Sequence, residues 1–167
     1  MLMQWFKSFL PIGWLPADRV FTPIPQSVLS NGCLRQAVIL TVPHAMFVAR
    51  LLARSLNQLG VQAEIITQRP EQGFRDCLHF VIAAQAFRAL PRYYVAYQME
   101  QCVSNVLKRK KYQRKLRRSV GVFDYSLMNI EALKRLGFPE NGLFYMPVRP
   151  LIERTLTPDE DRSHAVV

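Results

Sequence analysis

Glycine and cysteine are scarce in this chain, and long apolar runs are missing. Of 167 residues, 7 are Gly and 3 are Cys, while 11 Pro are scattered along the length. A collagen-like or linker protein is excluded by that composition. Cys33, Cys77 and Cys102 cannot form a closed disulfide framework and lack metal-ligand spacing, so they read as reduced or buried thiols. The longest uncharged run near the core, 36–49, is broken by Pro43 and falls short of the ~20 apolar residues a membrane span needs. The glycine motifs of cofactor and phosphate loops are also absent: there is no GxGxxG after the first strand, whose turn reads TVPHAMF, and no GxxxxGK[ST]. No GxSxG elbow, HExxH pair or Cys-pair zinc pattern occurs. A hydride-transfer enzyme, an NTPase and a common hydrolase are thereby disfavoured, and neither a cofactor nor a metal site is implied.

What is present is a globular composition, 50% hydrophobic and 20% charged, of a size that suits one domain. Lys and Arg number 22 against 12 Asp and Glu, for a net charge of +10. The excess is local. The segment 108–118, KRKKYQRKLRR, holds eight cations and no acid: Lys108, Arg109, Lys110, Lys111, Arg114, Lys115, Arg117 and Arg118. Three readings stay open for it: a solvated face, attraction to anionic lipid, and nucleic acid. The last is the weakest, because Tyr112 is the only aromatic in the run and single-strand binders need a stacking ladder.

The N-terminus, MLMQWFKSFLPIGWLP, does not follow the order of a secretory signal, with charge first and then an unbroken apolar stretch. A cytoplasmic chain is expected. Trp5, Phe6, Phe9 and Trp14 suit an interface, which together with the basic segment opens a peripheral contact with the inner membrane face.

Hydrophobic patterning predicts an α/β fold. AVILTV at 37–42 is a continuous apolar, branched run of the kind buried on both faces of a parallel sheet. The segment 45–59 carries Val48, Leu51, Leu52, Leu56 and Leu59 on one helical stripe, stopped by Gly60. Further strands are expected at 61–67, 78–83, 93–97, 120–123 and 143–146, with helices over 101–118 and after Ser126. Glu131 and Arg135 are spaced to pair on that last helix. The alternation argues for a Rossmann-like, doubly wound, mostly parallel sheet with the strand at 37–42 central. The domain is drawn at 35–150, after a Pro-interrupted lead-in arm at 1–34 and before a linker and tail at 151–167.

In such a sheet ligands bind beyond the carboxyl ends of the strands. Those positions carry His44, Gln68, Arg69, Gln85, Gln98, Glu100, Asp124, Tyr125, Ser126 and Arg149. His44, Glu100 and Asp124 are candidate bases, and each also reads as a loop or capping residue. Gln98 and Asn129 are candidate hydrogen-bonding groups for a polar ligand.

Two motifs on these strand ends carry a resemblance. YVAYQMEQ at 94–101, then VFDYS at 122–126 with Asn129, Ile130 and Leu133, Gly137 and a strand ending in Pro147, is similar to the N-terminal half of certain bacterial GT-B glycosyltransferase-like proteins. The opening unit from 37 to 67 resembles the first βαβ of that fold, and the likeness covers about residues 36–150. It implies two Rossmann-like domains facing a cleft. The first holds a sugar acceptor and the second a nucleotide sugar. Only the first is represented, and HAVV at 164–167 falls where a second domain would open. The chain is then expected to be a split or truncated transferase half, inactive alone, whose partner is a nucleotide-sugar-binding domain or chain. The resemblance implies Asp124, Glu100 or His44 as the base that activates an acceptor hydroxyl, with Gln98, Tyr125 and Asn129 binding the acceptor. The rival reading is a non-catalytic Rossmann-like module that binds an anionic surface through the segment 108–118.

Overall fold

The computed structural model describes residues 21–26 and 35–148. Trp5, Phe6, Phe9, Trp14, Cys33, Arg149, most of the lead-in arm, and the linker and tail lie outside the described residues.

Six strands form one all-parallel sheet: β1 (Gln36–Leu40), β2 (Gln62–Ile66), β3 (His79–Ile82), β4 (Tyr94–Gln98), β5 (Gly121–Asp124) and β6 (Leu143–Tyr145). Their order across the sheet is β2-β1-β3-β4-β5-β6. The predicted strands fall within two residues of these bounds. The expectation of a central first strand is corrected: β1 is flanked on both sides but stands second from the edge, and β3 and β4 hold the middle. Strand order is set by crossovers, which local patterning does not encode.

Burial on both faces explains the apolar runs. On one face Ile39, Phe80, Ile82, Val95, Tyr97 and Phe123 join α1 (Met46–Gln58) through Val48, Ala49, Leu52 and Leu56. On the other, Leu40, Val81, Tyr94, Ala96 and Val122 meet Tyr112 and Leu116 of α2 (Lys110–Arg117) and Ile130 and Leu133 of α3 (Leu127–Arg135). The domain is therefore doubly wound. Gly60, at φ +78°, closes α1: its N–H reaches the Asn57 carbonyl at 3.0 Å, and the Val61 N–H reaches that of Leu56 at 2.9 Å. Leu59, expected on the buried stripe, sits past this closure at 37% exposure.

Two local expectations change. The helix expected over 101–118 starts only at Lys110, after a run of turns over 99–109. The side chains of Gln98, at the end of β4, and Asn129, on α3, bind the backbone of that run, and such bonds compete with the helical ladder. On α3, Glu131 pairs with Lys134 at 2.8 Å rather than with Arg135, and Lys134 also reaches Glu140 at 3.1 Å. At the other edge of the sheet the Thr22 N–H donates to the Ser119 carbonyl at 2.8 Å, and the Phe21 ring lies against Gly142, where a Cβ would collide with it.

Candidate functional site

The carboxyl ends of β3, β4 and β5 carry a connected set of polar side chains. It begins with sheet register. Gln98 and Asp124 are the last pair of the β4–β5 ladder, so their side chains leave the same face side by side. The Gln98 Nε2 donates to Asp124 Oδ2 at 3.0 Å. Asp124 Oδ1 accepts from the Ser126 N–H at 2.8 Å and from Asn129 Nδ2 at 3.0 Å. Ser126 caps α3 by accepting from the Asn129 N–H.

From this pair the bonds converge on Glu100. Its N–H donates to Gln98 Oε1, and its carbonyl accepts from Gln98 Nε2 at 2.6 Å and Asn129 Nδ2 at 2.9 Å. The Tyr112 hydroxyl donates to Gln98 Oε1 at 3.2 Å, and Asn129 Oδ1 accepts from the Cys102 N–H at 2.8 Å. Gln98 thus spends both protons and both lone pairs inside the protein, and Asn129 spends both protons. The geometry makes the two amides positioning groups for the 99–109 backbone. This leaves them little to offer the acceptor they were expected to bind.

Burial separates the two carboxylates. Asp124 is fully buried, and loss of hydration pushes its carboxyl up to about 6 against the hydrogen bonds from Ser126, Asn129, Gln98 and Tyr125 that favour its charge. Burial, reinforced by the carboxylates of Glu100 and Asp124, also drives the Tyr112 phenol well above its ordinary range. Glu100 remains partly exposed at the rim. Its Oε1 accepts from Gln85 Nε2 at 2.6 Å and its Oε2 from Ser104 Oγ at 3.4 Å. It is the accessible carboxylate of the group. Asp124 acts through the others, since both its oxygens are enclosed.

The remaining candidates lie elsewhere. His44 is exposed in a 3-10 turn (Pro43–Ala45) after β1 and takes no part in the network. Tyr125 is half-buried beside Asp124. The eight cations divide. Lys115 directs Nζ at the carbonyls of Ala84 (3.0 Å), Gln85 (3.4 Å) and Phe87 (2.5 Å), pinning the turn after β3. Arg117 donates to the Leu136 and Gly137 carbonyls at 2.6 and 3.1 Å and lies 4.2 Å above the Phe138 ring, capping the C-terminus of α3. Both were expected on an anion-binding surface and are instead engaged internally. Lys108, Arg109, Lys110, Lys111, Arg114 and Arg118 are exposed and form no ion pair among the described residues.

Sequence reasoning placed Gln85 at the ligand-binding rim without giving it a role, and it missed Tyr112 as a member of the site. Tyr112 had a signal, its four-residue spacing from Leu116, which marks a buried helical stripe. Gln85 stands two residues after Ala83, whose left-handed backbone (φ 59°) turns the chain off β3; its position follows from the strand end, and its bond to Glu100 has no sequence pattern. Among the described residues no group of three or more His, Cys, Asp or Glu could hold a metal ion, and no helix is long and apolar enough to cross a membrane. No protein family, curated protein or solved structure matches the chain.

Proposed function

We propose that this chain is the acceptor-side domain of a GT-B-like sugar transferase and works with a second, nucleotide-sugar-binding domain or chain. The observation that carries the reading is the joining of the two motifs behind the resemblance. Gln98 and Glu100 from one, and Asp124, Ser126 and Asn129 from the other, form one hydrogen-bonded unit at the edge where parallel sheets bind ligands. In this reading Glu100 is the base. It takes the proton of an acceptor hydroxyl as that oxygen bonds to the anomeric carbon and the bond to the nucleoside diphosphate breaks. Asp124, Gln98 and Asn129 hold Glu100 in place, and the gain comes from positioning.

Saturation-transfer NMR with a panel of neutral mono- and oligosaccharides tests the acceptor half. Saturable contact that Glu100→Gln weakens is expected; no contact with any sugar overturns it. The chain alone should show no transferase turnover with labelled nucleotide sugars. Robust turnover would overturn the need for a second domain.

A second reading, docking on an anionic membrane, is favoured by one observation. Val103, Leu127 and Met128 are 75%, 60% and 73% exposed at the same carboxyl edge as Lys108–Lys111. Exposed apolar side chains and cations on one edge suit a lipid headgroup layer. Vesicles with anionic lipid should then retain the protein at low salt and release it as salt rises, and Lys108→Gln with Lys110→Gln should weaken retention. Equal binding to neutral vesicles would remove this reading.

A further inference from the structure

A cavity of about 250 Å³ opens beside the polar network, lined by Gln85, Val106, Arg109, Lys111, Tyr112 and Lys115. No carboxylate among the described residues lines it. Arg109 and Lys111 are exposed at the start of α2 and have no ion-pair partner among the described residues. Lys115 adds charge to the wall while its protons serve carbonyls of the turn after β3. Burial and then the charge of Lys111 hold Lys115 below its ordinary value, as expected for like charges that share a space without a counter-ion. The first turn of α2 has no acidic residue, so its positive end is uncompensated as well.

One of the lining residues, Gln85, also carries a buried acceptor. Gln85 Oε1 is buried and has no hydrogen-bond donor among the described residues. Turning the amide over cannot cure this, because Nε2 must face the Glu100 carboxylate, 2.6 Å away. A buried carbonyl oxygen left without a donor is costly, and a ligand hydroxyl would satisfy it.

From this pairing of free cations with an unfilled acceptor we infer that the cavity binds a phosphorylated polyol, its phosphate on Arg109 and Lys111 and a neighbouring hydroxyl donating to Gln85 Oε1. Its volume lies below the ~300–1,000 Å³ of pockets for drug-sized ligands, so it fits a sugar phosphate headgroup better than a whole nucleotide sugar. The phosphate site stands on its own. That the hydroxyl lies next to Glu100 rests on the acceptor reading, and the inference then names the acceptor class as one bearing phosphate. The phosphate can belong to a soluble sugar phosphate or to a lipid headgroup.

The test is titration of the full chain with inorganic phosphate, glucose 1-phosphate and glucose, followed by chemical shifts of the Gln85 amide. Saturable binding of inorganic phosphate and tighter binding of glucose 1-phosphate are expected. Arg109→Gln or Lys111→Gln should weaken both by roughly tenfold or more, while Lys110→Gln, equal in charge but outside the cavity wall, should do much less. Gln85→Met should abolish the preference for glucose 1-phosphate over inorganic phosphate. Absence of phosphate binding, or equal weakening by Lys110→Gln and Lys111→Gln, overturns the site, and an unchanged preference in Gln85→Met overturns its hydroxyl half. Phosphatidylcholine vesicles with and without phosphatidic acid separate the sources. Lys111-dependent capture by phosphatidic acid supports a lipid-borne phosphate; binding of glucose 1-phosphate without vesicle capture supports a soluble one. Neutral-sugar contact that depends on Glu100, found without phosphate binding, would sink this inference and leave the acceptor reading standing.

Discussion

The carboxyl ends of β1 and of β4 solve the same problem with opposite materials. After β1 the chain passes through Pro43–Ala45 straight into α1, which is seated by Val48, Ala49, Leu52 and Leu56 against the sheet. Nothing polar is needed to place it, and His44 is left exposed. After β4 the chain runs through irregular turns before α2 begins, and its backbone groups need partners the local chain does not supply. Asn129 supplies them from α3 and Gln98 from the end of β4, and Asp124 holds both amides. A side chain at the first edge is free but unsupported. At the second, Glu100 is held by its neighbours and still reaches the surface. Support of this kind is what a reacting group requires, and it is why the second edge is the better candidate site.

The largest effect that would separate the two regions is in the apolar one. Leu56 is fully buried on the sheet-facing side of α1, and Leu56→Ala should cost about 2–5 kcal/mol through the cavity left behind. Urea denaturation measures this. The contacts around Glu100 lie on the far side of the sheet middle, so sugar or phosphate binding under native conditions should be unchanged. If binding falls together with stability, the two edges are not independent.

Next comes the polar region, through pH. The Asp124 carboxyl titrates near 6 in the folded protein against ~3.9 in an unfolded chain. The folded state therefore holds the proton over a range where the unfolded state has lost it. Stability from this group is fully present below about pH 4 and falls as pH rises through 6, by roughly 2–3 kcal/mol in all. Asp124→Asn removes the titration, so that portion of the pH slope should flatten. Its amide protons would also meet a donor, Gln98 Nε2 or those of Ser126 and Asn129, at a cost of about 1–3 kcal/mol at pH 7. Denaturant midpoints at pH 4.5, 6 and 7.5 for both proteins decide it; parallel curves would mean that Asp124 is not the titrating group.

A smaller effect is expected at the split between surface and structural cations. Arg117→Gln should destabilise the domain by about 1–2 kcal/mol, because two helix-end carbonyls and the Phe138 ring lose their partner. Arg114→Gln, in the same run and exposed, should change stability by less than about 0.5 kcal/mol. Thermal melts of the two variants side by side measure the difference.

That division also marks what the sequence revealed. The strands were legible because burial on both faces writes a continuous apolar run, as at 37–42, and Gly60 stopped α1 where only glycine is comfortable. The rim residues Gln98, Glu100 and Asp124 were legible as positions, since strand ends locate the ligand edge. Their roles were not. Asp124 and Glu100 look alike in sequence, and only the closure of Ser126, Asn129 and Gln98 around one of them makes it a buried support. Lys115 and Arg117 carry the same charge as their neighbours in KRKKYQRKLRR, and their partners lie about 20 to 31 residues away. The late start of α2 has the same origin, since Asn129 holds Cys102 across 27 residues.

The smallest expected effect lies at β3, between the two edges. Ala83 leaves this strand in the left-handed region, φ 59° and ψ 55°, which costs an alanine about 1–2 kcal/mol. Glycine tolerates that conformation but loses more backbone entropy on folding, about 0.5–1 kcal/mol relative to alanine. The difference predicts that Ala83→Gly stabilises the domain slightly, by about 0.5 kcal/mol. The strain has a use if the turn it makes is what holds Gln85 against Glu100 and the cavity. In that case the gain in stability should come with weaker glucose 1-phosphate binding, because the Ala84–Ala86 turn would no longer be confined to one conformation. Urea unfolding and phosphate titration on one variant give both numbers. A stabilised protein with undiminished binding would show that Lys115, gripping the turn through three carbonyls, suffices to place Gln85.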